Sequence, residues 1–371
     1  MKTNFEQDIM KYLEKKYGKN ANYIYSLSYI LQYIIIKTKS ANSGAKARGS
    51  FANLYAIYVV VEDYLKKGYD VSGSYSSYEG AQFGALLNRQ RELPFGAKLQ
   101  NHALNSRMNQ EFFKFFPMQE NIPPIMRDAK TQRYWFNENY LNIDIGNSKV
   151  NIAKDIINII DMYILVKQEN FKQFIEHCEM LQKIDEKNTN EAMNFIKSLL
   201  APNVDARLFE IVSFSLLKFY YKDIHKHIVW GFVGETLKED YLHLYKTGRT
   251  NANDGGIDFV MRPLGRFFQV TETLDFKKYF LDIEKIEKYP LSFVIKSEDS
   301  VETLKNKIQQ DAKKIYGVDK IVENYMSCIE EIINIPKLYA YLKELEAKFL
   351  ISKVLEEIVA QSKVEFNYEN D

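Results

Sequence analysis

Cysteine is nearly missing from this chain: Cys178 and Cys328 are the only two among 371 residues. They make no disulfide framework, and no CxxC or Cys/His zinc spacing occurs, which fits a cytoplasmic protein. An excess of one charge is missing too, since 50 Lys plus Arg stand against 49 Asp plus Glu. Net charge thus argues neither for nor against nucleic acid; only local clustering can. Long hydrophobic runs are also scarce. The one from Tyr29 to Ile36 is interrupted by Gln32 and is too short to span a membrane. The opening MKTNFEQDIMKYLEKK carries charges with no apolar stretch behind them, so it does not read as a signal peptide. No internal repeat, no low-complexity segment and no GxxxxGK[ST] phosphate loop is found. Those absences exclude a solenoid and a P-loop ATPase.

What is present is an ordinary globular composition, 46% hydrophobic and 27% charged, long enough for two domains. Apolar residues recur at helical spacing over much of the first half. Phe5, Ile9, Tyr12 and Leu13 form one stripe, and Ile24, Leu27, Ile30, Leu31, Ile34 and Ile35 the next. Further helices are expected over residues 51–65, 152–166, 171–184 and 190–200, with 126–150 irregular or partly stranded. Pro202 marks a boundary, and Asn203 or Asp205 can cap the helix that follows. The expected division is a mainly helical region, 1–200, and a second region, 201–371. The second is expected to hold a mixed sheet of four or five strands over roughly 227–295, flanked by helices. Residues 227–233 read as its first strand and 291–295 as a later one. From Val301 onward the chain reads as helical.

Two polar stretches interrupt the first half. Residues 37–51 combine Lys37, Lys39, Lys46 and Arg48 with glycine and serine, either a phosphate-contacting loop or a solvated connector. Residues 68–105 are rich in Gly, Ser, Asn and Gln and include Arg89, Gln90 and Arg91. Such side chains make paired hydrogen bonds to base edges, although a loop packed on helices has the same composition.

The most informative stretch is Lys246 to Glu272, KTGRTNANDGGIDFVMRPLGRFFQVTE. An apolar strand from Ile257 is broken at Pro263-Leu264-Gly265, and a second follows from Arg266 to Thr271, a hairpin signal. Asp258 sits in an apolar strand, where a carboxylate needs a partner or a metal. Gln269 and Thr271, two apart, share one face. A two-residue turn sets Asp258 opposite Thr271; a three-residue loop sets it opposite Val270 and brings Glu272 to its side. Glu210, in the apolar helix after Pro202, is a second isolated carboxylate. A salt bridge to Arg207 at spacing three accounts for it equally well. His225, His227 and His243 offer a weaker, zinc-type alternative.

Asp258 after Gly255-Gly256, followed by Gln269-x-Thr271, resembles the PD-(D/E)xK nuclease superfamily, in particular type II restriction endonucleases and Mrr-like enzymes. The resemblance covers about a quarter of the chain, including the helix with Glu210. It implies a restriction-endonuclease-like α+β or α/β core, a mixed sheet flanked by helices. It also implies sequence-specific, Mg²⁺-dependent hydrolysis of double-stranded DNA. Asp258, Gln269, Thr271 and Glu210 become the catalytic candidates, with Asp258 and Gln269 as metal ligands. Lys46, Arg48, Arg89, Gln90 and Arg91 become the DNA-binding candidates, acting in one chain or in a homodimer. Thr271 stands where that family carries lysine, so Lys246, Arg249, Lys277 or Lys278 would have to bring the cation. The competing expectations are a DNA-binding or repair protein with a degenerate nuclease fold, and a helical interaction protein in which Asp258 and Glu210 are structural.

Overall fold

The computed structural model describes residues 5–41, 47–72, 75, 78–146, 148–183, 189–224, 227–247, 257–272 and 276–366. The protein is of the mixed α+β class. Its chain divides into two units, residues 1–174 with 363–371, and residues 175–362. The expected break at residue 200 moves back because α9 packs with the second unit's α10.

The first unit begins with α1 (Phe5–Tyr17), α2 (Ala21–Leu27), α3 (Tyr29–Ala41), α4 (Ala47–Lys66) and the single turn α5 (Tyr69–Ser72). The two-residue strand β1 (Ala81–Gln82), α6 (Phe83–Glu92) and α7 (Met108–Phe115) follow. Strands β2 (Ile125–Asp128) and β3 (Arg133–Phe136) form a sheet of order β1-β3-β2, and β4 (Asn142–Asp144) pairs with β5 (Lys149–Asn151). Trp135 lies on β3. The core is aromatic: Tyr33, Tyr55, Tyr64, Phe112 and Phe136 are fully buried. Asp155, in the first turn of α8 (Ala153–Gln182), is buried with them. It accepts hydrogen bonds from Tyr12 Oη at 2.8 Å, Lys16 Nζ at 2.6 Å and Tyr17 Oη at 2.5 Å.

The second unit contains α9 (Asn190–Leu199), α10 (Ala206–Phe219), β6 (His227–Trp230), β7 (Lys238–Tyr241), β8 (His243–Lys246), β9 (Phe259–Arg262) and β10 (Arg266–Thr271). It continues with α11 (Phe276–Lys285), β11 (Leu291–Ile295), α12 (Val301–Tyr316), α13 (Asp319–Ser327), β12 (Ile329–Asn334), α14 (Ile335–Ala347) and α15 (Ile351–Phe366), the last belonging to this unit up to Ser362. Its sheet has the order β12-β11-β10-β9-β8. β8, β9 and β10 form an antiparallel meander; β11 and β12 add parallel strands. β11 is buried at every position, as expected of a central parallel strand covered on both faces. One face packs Phe293 and Ile295 against Tyr279 and Phe280 of α11 and Leu304 and Ile308 of α12. The other carries α10, whose Phe214 ring lies 5.2 Å from that of Phe259.

Two expectations are corrected. The strand expected at 227–233 is not part of this sheet: among the described residues β6 pairs only with β7, and Val229, Phe232 and Val233 are exposed. Trp230, on β6, lies beneath the Lys238 ammonium at 5.3 Å. Residues 329–334, expected to be helical, form β12, because their inner positions bury Ile332 and Ile333 beside β11. Among the described residues no helix is long and apolar enough to cross a membrane.

Candidate active site

The turn between β9 and β10 is longer than either arrangement drawn from the sequence. Met261 pairs with Arg266, leaving residues 262–265 as a four-residue connection closed by Gly265 N donating to Met261 O at 2.9 Å. Gly265 has φ +67°, a conformation that favours glycine. This register runs Phe268 against Phe259 and breaks at Asp258. There the Asp258 N–H goes to Phe268 O at 2.9 Å, and its carbonyl accepts from Thr247 N at 2.9 Å. The Asp258 carboxylate takes the next donor, accepting from Val270 N at 2.7 Å. A side chain thus completes the ladder where the backbone leaves it.

Around this irregular corner stand the charged residues of α10 and the sheet. Asp205 caps α10, its carboxylate accepting from Arg207 N at 2.9 Å. One turn in, Glu210 is buried among apolar neighbours. One of its oxygens is paired with Arg207 and the other lies 3.2 Å from Lys246 Nζ. Lys246 is the last residue of β8, opposite Phe259, which aims it at α10. Asp258 feels all three groups. Burial, and then the Glu210 carboxylate, push its pKa up to about 7, against the pull of the Val270 N–H, Arg207 and Lys246.

Glu272 and Lys296 extend the cluster. Burial raises the Glu272 carboxyl above its usual range, with Lys296 and Arg207 opposing and Asp205 reinforcing. Its Oε1 is buried with no hydrogen-bond partner among the described residues. Lys296, directly after the buried β11, donates to Val204 O, and burial lowers its pKa. Arg207 therefore links the fields of Asp258 and Glu272.

Gln269 and Thr271 occupy the other face. Gln269 pairs in register with Phe293, and Thr271 is hydrogen-bonded to Tyr279 of α11. The Gln269 carboxamide donates to Val270 O at 3.3 Å, while its Oε1 is buried without a partner among the described residues. The structure thus groups Glu210 and Asp258 with Arg207, Lys246, Glu272 and Lys296, and sets Gln269 and Thr271 toward α11. Glu272 was legible only through one of the two turn alternatives. Lys296 was missed; the signal for it is a charge closing the apolar run LSFVI.

The donor chemistry suits a hard divalent cation, which takes one or two carboxylates and keeps several waters. Glu210 and Asp258 supply the carboxylates, and the unpartnered Glu272 oxygen is a third. Among the described residues no three His, Cys, Asp or Glu side chains already form a metal cage. His227 and His243 each approach an acidic residue of β7, Glu239 at 4.0 Å and Asp240 at 3.8 Å. His225, Arg249, Gly255 and Gly256 lie outside the described residues, as does the side chain of Lys277.

The nucleic-acid candidates of the first unit are placed differently from expectation. Residues 83–92 are the helix α6, not a loop. Gln90 is wholly buried and donates to Ala52 O at 3.2 Å. Arg89 grips Glu62 through two 2.9 Å hydrogen bonds, and Arg91 donates to Leu99 O at 3.2 Å. Lys37 is buried and paired with Glu111. Lys46 and the side chain of Arg48 lie outside the described residues.

No family model, no curated protein and no solved structure matches this chain.

Proposed function

We propose that this protein is a Mg²⁺-dependent, sequence-specific endonuclease acting on double-stranded DNA, of the restriction-enzyme type. The observation that carries the reading is the convergence of Glu210 and Asp258 with Lys246 at one sheet corner. From α10 the chain passes through the separate β6–β7 hairpin to the antiparallel meander β8–β10, then α11 and the parallel strand β11, a mixed sheet flanked by helices as this reading requires. The resemblance drawn from the sequence expects a carboxylate on a helix before the sheet and another early in a strand, the places of Glu210 and Asp258.

In this reading Asp258 and Glu210 hold the ion, and Glu272, on their side of the sheet, replaces Gln269 as the further ligand. Held there, the ion would supply an acidified water and offset charge on the phosphate. Arg207 and Lys246 bind and orient the phosphate, and Lys246 supplies the cation that Thr271 lacks. A DNA-binding protein with a degenerate nuclease fold is the second reading. It is favoured by the pairing of both Glu210 oxygens with cations.

Incubation of supercoiled plasmid with the protein and Mg²⁺ is expected to give discrete fragments. The Asp258→Ala variant should remain folded and cut nothing. A folded variant that cuts at the parental rate overturns the assignment, and shifted but uncut plasmid with the parent protein favours the second reading.

A further inference from the structure

The candidate site is neutralised from within. Arg207 holds one oxygen of Glu210 and Lys246 stands 3.2 Å from the other. With both acids ionised, Glu210, Asp258, Arg207 and Lys246 carry no net charge together. A dication arriving alone must compete with two cations for Glu210 and leaves the set strongly positive. A phosphodiester arriving alone leaves it negative. Arriving together, the two largely compensate each other and the site, where uncompensated buried charge is costly. The cations also have room to move. Their side chains are 28% and 20% exposed, against 9% for Glu210, so they reach solvent while the carboxylate stays in place.

We propose that Arg207 and Lys246 are an exchangeable counter-ion pair. They hold Glu210 while no phosphodiester is bound and pass to phosphate oxygens when one arrives, so divalent cation and phosphodiester bind with positive coupling. The inference rests on the phosphodiester-hydrolysing reading and adds an order to it: the substrate completes the metal site. Coupling of this kind is reciprocal, so the metal strengthens phosphate binding by the same factor.

Calorimetric titration of the full chain with Mg²⁺, with and without saturating dimethyl phosphate, tests this. That anion is an unreactive phosphodiester. Its presence should tighten Mg²⁺ binding by a factor within about 5–150, the usual span of such couplings. Lys246→Gln should tighten Mg²⁺ binding in the absence of phosphate and reduce the coupling toward one. Arg207→Gln should act in the same direction, which guards against a folding defect in either variant. Equal Mg²⁺ affinity with and without the anion, in a protein that binds both, overturns the exchange and leaves the hydrolase reading standing. Weaker Mg²⁺ binding by folded Lys246→Gln, alone, also overturns it. No Mg²⁺ binding under any condition removes the hydrolase reading and the exchange together.

Discussion

Two aspartates, the fully buried Asp155 of the first unit and the half-buried Asp258 of the second, have opposite surroundings. Asp155 is closed off from solvent and receives three donors, two tyrosine hydroxyls and an ammonium. Its negative charge is answered, and the burden falls on its partners: burial and the Asp155 hydrogen bond raise Tyr17 far above the ordinary phenol range. Asp258 has one backbone N–H and a second carboxylate nearby. A buried carboxylate is therefore not by itself a sign of chemistry. One with its lone pairs filled fastens helices together, here α1 to α8. One that is underfilled beside a like charge has capacity left for a cation or a proton.

The largest effect that sharpens this contrast is on stability. Asp155→Ala should destabilise its unit by about 2–4 kcal/mol, since it strands Tyr12, Tyr17 and Lys16 at once. Asp258→Ala should stay within about 1 kcal/mol of the parent, the lost Val270 bond being offset by relief from Glu210. Urea denaturation followed by circular dichroism measures both; a reversed order would break the comparison.

The next effect is a pH dependence. Asp258 is raised from 3.8 to about 7 in the folded protein, so between those values the native state holds a proton that the unfolded chain releases. The stability this contributes is complete below pH 3.8 and is lost progressively as pH rises to about 7. Asp258→Asn, measured with a chelator present, should remove that decline and gain about 1–3 kcal/mol at pH 8. An unchanged pH profile would place the charge of Asp258 elsewhere.

The smallest effect concerns Arg89. Because Glu62 already engages its guanidinium, Arg89→Ala should cost about 0.2–1 kcal/mol of stability, as for a partly exposed ion pair. Affinity for DNA should stay the same. A clear loss of affinity in gel shifts would restore Arg89 as a DNA contact.

Much of the second unit was legible because its signals are local. The apolar strands around Pro263 to Gly265 became β9 and β10, LSFVI became β11, and the Asp205 cap opened α10. The register was not legible, since it hangs on a four-residue turn whose length the sequence does not mark, and one residue's slip exchanges the faces of β10. Residues 227–233 have strand composition whether or not they join the main sheet; exposure decided that, and exposure is tertiary. Residues 152–184 read as two helices because of the polar run after Val166, yet α8 runs through it, as a solvent-facing helical stripe permits. Gln90 shows the same limit. Its polarity suggested a surface, and the packing of α6 buried it.

The chain's two tryptophans fall one to each unit, Trp135 on β3 and Trp230 on β6. That accident of placement gives each unit its own optical label. Replacing either indole by phenylalanine leaves an emission signal confined to one unit, so melting of the two can be timed separately in the undivided protein. With the Lys238 ammonium over its ring, Trp230 emission is also sensitive to the charge state of the β6–β7 hairpin.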